Sequence, residues 1–144
     1  MQSAAAHSPT AERRLTLESV VNDLIDDALV PREVGEKLLR DRRLARTDTH
    51  PLVVVADQKW KDPANPKRTL HIEQLTQWLA DRSKLPYLHI DPFKIEFATV
   101  TKVMSNAYAS RFKILPVEVT AREVVIATCE PYVREWEPQL QQML

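Results

Sequence analysis

The sequence predicts an α+β fold, with a small N-terminal helical hairpin followed by an α/β subdomain that holds a short mixed sheet and flanking helices. Three observations lead there. Leu17, Val20, Val21, Leu24, Ile25, Ala28 and Leu29 recur at the spacing of one helix face. Ile114 to Val119 and Val124 to Thr128 are runs rich in β-branched residues, joined by Thr120-Ala121-Arg122-Glu123 as a hairpin. A chain of 144 residues that is 44% hydrophobic can bury the core of one domain or two small ones.

Taken in order, residues 1–15 read as a flexible tail without the apolar stretch of a secretory signal. Residues 16–46 form the helical hairpin. Thr16 caps the first helix, and Pro31 ends it and opens the next. The second helix runs from Arg32 to Arg43, with Val34, Leu38 and Leu39 inward. Residues 47–67 are a strand and Pro-rich linker. There Leu52 to Ala56 is the strand candidate, and Asp62-Pro63-Ala64-Asn65-Pro66 breaks structure again.

Residues 68–144 make the α/β subdomain. Thr69 caps a helix carrying Ile72, Leu75, Trp78 and Leu79, and Tyr87 to Ile90 reads as a strand. Thr99 caps a further helix with Val100, Val103, Met104, Ala107 and Tyr108 on one face. A last helix follows Pro131, with Val133, Trp136, Leu140 and Met143 inward and a kink or split at Pro138. No strong internal repeat is visible.

Composition excludes several functions. Lys+Arg 20 against Asp+Glu 20 gives no global attraction to nucleic acid or anionic lipid. No apolar run reaches the ~18 residues a membrane span needs. The single cysteine, Cys129, excludes an internal disulfide and suits a reducing cytoplasm. The single glycine, Gly35, leaves no way to write GxxxxGK[ST] or GxGxxG, whose glycines let backbone N–H groups approach phosphate.

Candidate chemistry is sparse. His7, His50, His71 and His89 lack metal-ligand spacing. Cys129 reads as a small inert thiol, since a reactive one needs a nearby base. Asp26 and Asp27 diverge as helix neighbours, and Glu135 and Glu137 read as a solvated face, so neither pair offers convergent acid–base catalysis. Arg40, Arg42, Arg43 and Arg46 cluster where cations meet the C-terminal end of a helix dipole, and arginine forks also match phosphate. Trp60 between Lys59 and Lys61 is the tryptophan expected to be exposed as a partner anchor.

The segment from Leu85 to Pro131 carries LPYLHIDP, a helix containing Asn106-Ala107-Tyr108-Ala109, ILPVEV and EVVIATCEP. It resembles the N-terminal, MshEN-like domain of the type II secretion and type IV pilus assembly ATPases. The resemblance extends over nearly all of the chain after about residue 16. It implies a docking or regulatory domain without catalysis of its own, in front of an ATPase core that alone would use ATP and Mg. The type II secretion branch implies docking onto the cytoplasmic part of an inner-membrane L-type protein. The domain would then be cytoplasmic, peripheral to the inner membrane through its partners, with no nucleic acid and no direct membrane insertion.

The alternative reading within the same resemblance is a cyclic di-GMP-sensing regulatory domain of a pilus or secretion ATPase. In the ligand motif of such members, Leu24-Ile25 and Leu29-Val30 fall on the aliphatic pairs. Ser19 replaces the arginine, Val21 and Ala28 the two glycines, and Arg42 the closing glutamine. The aliphatic skeleton survives while the ligand chemistry does not, and no second copy of the motif is visible. Arg40, Arg42 and Arg43 are the remaining candidate nucleotide contacts, and Trp60, Lys59 and Lys61 the candidate docking residues.

Overall fold

The computed structural model describes residues 13–45 and 47–143; the first 12 residues, His7 among them, and Arg46 lie outside the described residues. The described residues divide into two compact units, one formed by residues 15–82 and the other by residues 83–143 with Arg13 and Arg14. It is α+β, with two small two-stranded antiparallel sheets flanked by helices.

The first unit is helical. Helix α1 (Leu17–Asp26) starts at Thr16, whose hydroxyl accepts the Ser19 backbone N–H while Ser19 reaches back to the Thr16 N–H. This reciprocal pairing satisfies two of the donors that a helix start leaves open. The helix ends at Ala28, which adopts φ 61. The Leu29 and Ala28 N–H groups then return to the Leu24 and Ile25 carbonyls, the Schellman arrangement. Such a position ordinarily holds glycine, because a Cβ there crowds the following carbonyl.

Pro31 precedes α2 (Arg32–Leu39), and the helix expected to continue to Arg43 stops there. Asp41 interrupts it: its carboxylate accepts the Arg43 N–H and restarts the chain as the short α3 (Arg42–Ala45).

Residues 52–56 are not a strand. They lie within α4 (Pro51–Asp57), where Pro51 occupies the first turn and His50 Nδ1 accepts the Leu52 N–H at 3.1 Å. Leu52, Val54 and Val55 are buried, and α4 packs against α1, so tertiary burial and a cap outweigh the strand preference of three successive valines. After Lys59, at φ 55, the chain forms the hairpin β1 (Lys61–Asp62) and β2 (Asn65–Thr69), turning at the Pro63-Ala64 pair. Thr69 therefore ends a strand and caps nothing. Helix α5 (Ile72–Ser83) is instead capped by His71 Nδ1, which accepts the Gln74 N–H. Val20, Val21, Leu24, Val55, Leu70 and Leu75 are the fully buried residues of this unit.

In the second unit Tyr87 to Ile90 is in no strand, and among the described residues the expected mixed sheet of this unit is one antiparallel hairpin. A 3-10 turn (Pro92–Lys94) follows, and the expected helix after Thr99 divides into α6 (Phe97–Val100) and α7 (Asn106–Phe112). Ser105 causes the division: its hydroxyl accepts the Tyr108 N–H and begins a new helix.

Strands β3 (Ile114–Val119) and β4 (Val124–Thr128) match the sequence expectation, and the Thr120 N–H closes their turn on the Glu123 carbonyl. Pairing slips between Pro116 and Glu118, where Pro116 has no N–H to give the ladder. Helix α8 (Trp136–Met143) begins later than expected, which puts Pro138 in its first turn, where it costs no helical hydrogen bond. Val103, Met104, Phe112, Ile114, Val133, Trp136 and Leu140 form the core of this unit. The Trp136 indole N–H is satisfied by the Val133 carbonyl at 3.0 Å.

Candidate functional site

The chemistry-bearing residues concentrate in the helical unit. Helices α1 and α2 meet at Gly35, the only glycine of the chain. A Cβ at this position would lie 2.8 Å from both Val21 Cγ1 and Ile25 Cδ1. Glycine here serves helix contact rather than a turn, and Val21, 0% exposed, fills the space beside it.

The sequence places the carboxylates of α1 in solvent, and Asp27 is not simply so. Its Oδ2 accepts the Trp78 indole N–H at 2.8 Å, and Arg82 Nη1 reaches both of its oxygens at 2.9 Å. Arg82 Nη2 also reaches Asp23 Oδ1 at 3.0 Å. Asp23 and Asp27 are i, i+4 neighbours on one face of α1, so one guanidinium spans both and ties α5 to α1. Partial burial raises the Asp27 pKa, but the hydrogen bonds from Trp78 and Arg82 and the arginine's charge outweigh it and hold the carboxyl below its ordinary value. Four residues make this network, Asp23 and Asp27 at the end of α1 and Trp78 and Arg82 on α5, and with the bonded residues 51 to 59 positions apart no spacing rule could have found it.

Of the arginine cluster, Arg46 lies outside the described residues and Arg43 is engaged locally. Arg43 folds back on Asp41, with bonds of 3.3 and 3.2 Å, and that hydrogen-bonded carboxylate raises the arginine's pKa. Arg40 lies just past α2 and Arg42 opens α3, both exposed.

Trp60 is half-buried rather than exposed, and its carbonyl accepts the Leu70 N–H at 2.8 Å. Lys59 and Lys61 are exposed. The one carboxylate in this stretch, Asp62, is 8% exposed and turned inward. It accepts the Ala64 N–H at 2.9 Å and the Gln74 amide at 2.9 Å, and these bonds, the backbone one first, lower its pKa.

The second unit offers little chemistry. Burial, then the neighbouring Glu130, pushes the Cys129 thiol up, away from the thiolate that a nucleophile needs. Glu137 pairs with Arg134 at 2.8 Å. His89 lies between Tyr87 and the 3-10 turn, in a stretch that together with that turn and the start of α6 displays Leu88, Ile90, Phe93 and Phe97, with Phe93 97% exposed. Among the described residues no group of His, Cys, Asp and Glu could hold a metal ion, and no helix is long and apolar enough to cross a membrane.

Comparison with known proteins gives this geometry a context. Residues 83–144 match the MshEN domain. Over 121 residues, 74% of the chain, the sequence is 36% identical to the type IV pilus assembly ATPase TfpB of Acinetobacter baylyi (strain ATCC 33305 / BD413 / ADP1). The match spans 21% of that relative's length. No solved structure matches the chain.

Proposed function

With an MshEN domain over residues 83–144 and homology to the type IV pilus and type II secretion ATPase family, we propose that the chain serves a pilus-assembly ATPase as its regulatory and docking domain. The chain is an accessory domain of that family and not its catalytic ATPase core. The observation that carries the pathway is the 36% identity to a pilus assembly ATPase, which favours the pilus branch over the secretion branch. Coupling to an inner-membrane platform protein of the L type is the secretion-branch form of the same proposal.

A chimera tests it. Removing the aligned region from TfpB is expected to abolish pilus assembly while ATP hydrolysis persists, and inserting this chain in its place is expected to restore assembly. A chimera that hydrolyses ATP and builds no pili would count against the reading.

A second reading, cyclic di-GMP sensing, is favoured by one observation. Ala28 stands where the ligand motif has a glycine, and its backbone keeps the left-handed φ of 61. Against it, Val21 occupies the other glycine position and is wholly buried in the contact with α2. Titrating the isotope-labelled chain with cyclic di-GMP is expected to leave the amide resonances from Leu24 to Arg42 in place. Saturable shifts there would establish sensing, with Arg40 and Arg42 as the first residues to replace.

A further inference from the structure

We infer that the β1–β2 hairpin is the docking surface for an acidic segment of a protein partner. Two helix-to-helix connections of the first unit differ here. Helices α1 and α2 are joined by residues 27–31 alone, whereas the connection from α4 to α5 carries the whole β1–β2 hairpin. Every residue of β2 is exposed, so this strand adds nothing to the core.

The hairpin and its base carry Lys59, Lys61, Lys67 and Arg68, all exposed. No ion pair among the described residues engages any of the four. The one carboxylate of the hairpin itself, Asp62, is bound inward to Ala64 and Gln74, and Asp57, two residues before Lys59, ends α4. Charge is thus concentrated outward on an element whose base is fixed, which limits the ordering that a partner must impose.

The sign of the remaining charge selects the partner. Outside this hairpin and its base, the same unit (residues 15–82) carries more Asp and Glu than Lys and Arg and is net negative. An extended polyanion such as a membrane or nucleic acid would meet that negative remainder. A compact acidic segment meets the hairpin alone. Lysine, a point charge, predominates over arginine, whose fork suits phosphate, and Trp60, half-buried, is the one aromatic residue from Lys59 to Thr69, short of the series of rings on which successive single-stranded bases stack.

This inference rests on the docking reading and names its surface; the pilus chimera decides that reading separately. The test uses the full chain and a fluorescein-labelled peptide of alternating Glu and Ser at low salt, read by anisotropy. Phosphatidylglycerol vesicles and single-stranded DNA serve as the competing probes. The triple variant Lys61→Gln, Lys67→Gln, Arg68→Gln should weaken peptide binding by about tenfold or more, since each exposed pair contributes up to about 1 kcal/mol. The control triple Lys37→Gln, Lys94→Gln, Lys102→Gln should leave it unchanged, with both triples keeping the wild-type circular dichroism. Absence of peptide binding, equal weakening by the two triples, or tighter binding to vesicles or DNA would each overturn the proposal.

Discussion

Gly35→Ala is expected to destabilise the chain by about 1–3 kcal/mol, the usual cost of forcing an extra carbon into a packed contact. For a unit of this size that corresponds to a loss of several degrees in Tm, roughly 4–8 °C per kcal/mol. The expectation reverses the intrinsic preference, because alanine in a free helix is favoured over glycine by about 1 kcal/mol. The deciding fact is distance. The added Cβ would sit 2.8 Å from Val21 Cγ1 and Ile25 Cδ1. Ile25 Cδ1 is the far end of a flexible side chain and can turn aside. Val21 is β-branched, 0% exposed and held by α1, so relief there requires α1 and α2 to move apart. Thermal unfolding of wild type and variant measures the sign directly. A Tm that stayed level or rose would mean that the two helices part freely, and that Gly35 is placed by something other than their contact.

That substitution also shows where sequence reading succeeded. The periodic apolar face of α1 was legible because burial on one side of a helix leaves a regular trace, and Thr16 was legible because caps have their own chemistry. The β3–β4 hairpin was legible down to its turn residues. The stops were harder. Helices here end on Ala28, Lys59, Lys84 and Lys113, all at positive φ, where a reader looks for glycine. With one glycine in the chain, and that one inside α2, the usual punctuation is missing or misplaced. Val53-Val54-Val55 read as a strand because their propensity is local, whereas the burial that makes them helical is not. Thr69 and Thr99 read as caps because threonine suits that role, and histidine at positions 50 and 71 took it in the first unit. The candidate surfaces fared likewise. Lys59 and Lys61 are exposed cations, while Trp60 between them is half-buried, and its carbonyl accepts the Leu70 N–H. The Asp23–Asp27–Arg82 network, set by the packing of α5 on α1, left no local pattern to read.

The pH dependence of stability provides the sharpest test of that network. Asp27 has its pKa lowered in the fold from an ordinary value of 3.8. A carboxylate with a depressed folded-state pKa contributes stability that is fully present above the unfolded value and lost as pH falls through the folded one. Wild-type stability is therefore expected to decline as the medium is acidified below about pH 4, and Asp27→Asn should remove the part of that decline owed to this group. Asp41 and Asp62 are depressed too and act in the same direction, so the difference between wild type and variant carries the information. At neutral pH, Arg82→Met keeps much of the apolar stem and removes the guanidinium bridging two carboxylates. Hydrogen bonds to charged groups contribute about 1.5–3 kcal/mol each in protected sites and less where water competes. With Arg82 30% exposed and Asp27 38% exposed, the loss should be about 1–2 kcal/mol. The double variant Asp27→Asn/Arg82→Met should lose less than the sum of the singles, because each single already removes the shared charge–charge attraction. Strict additivity would show that the arginine is held by Asp23 alone, and that Asp27 owes its low pKa to the Trp78 indole.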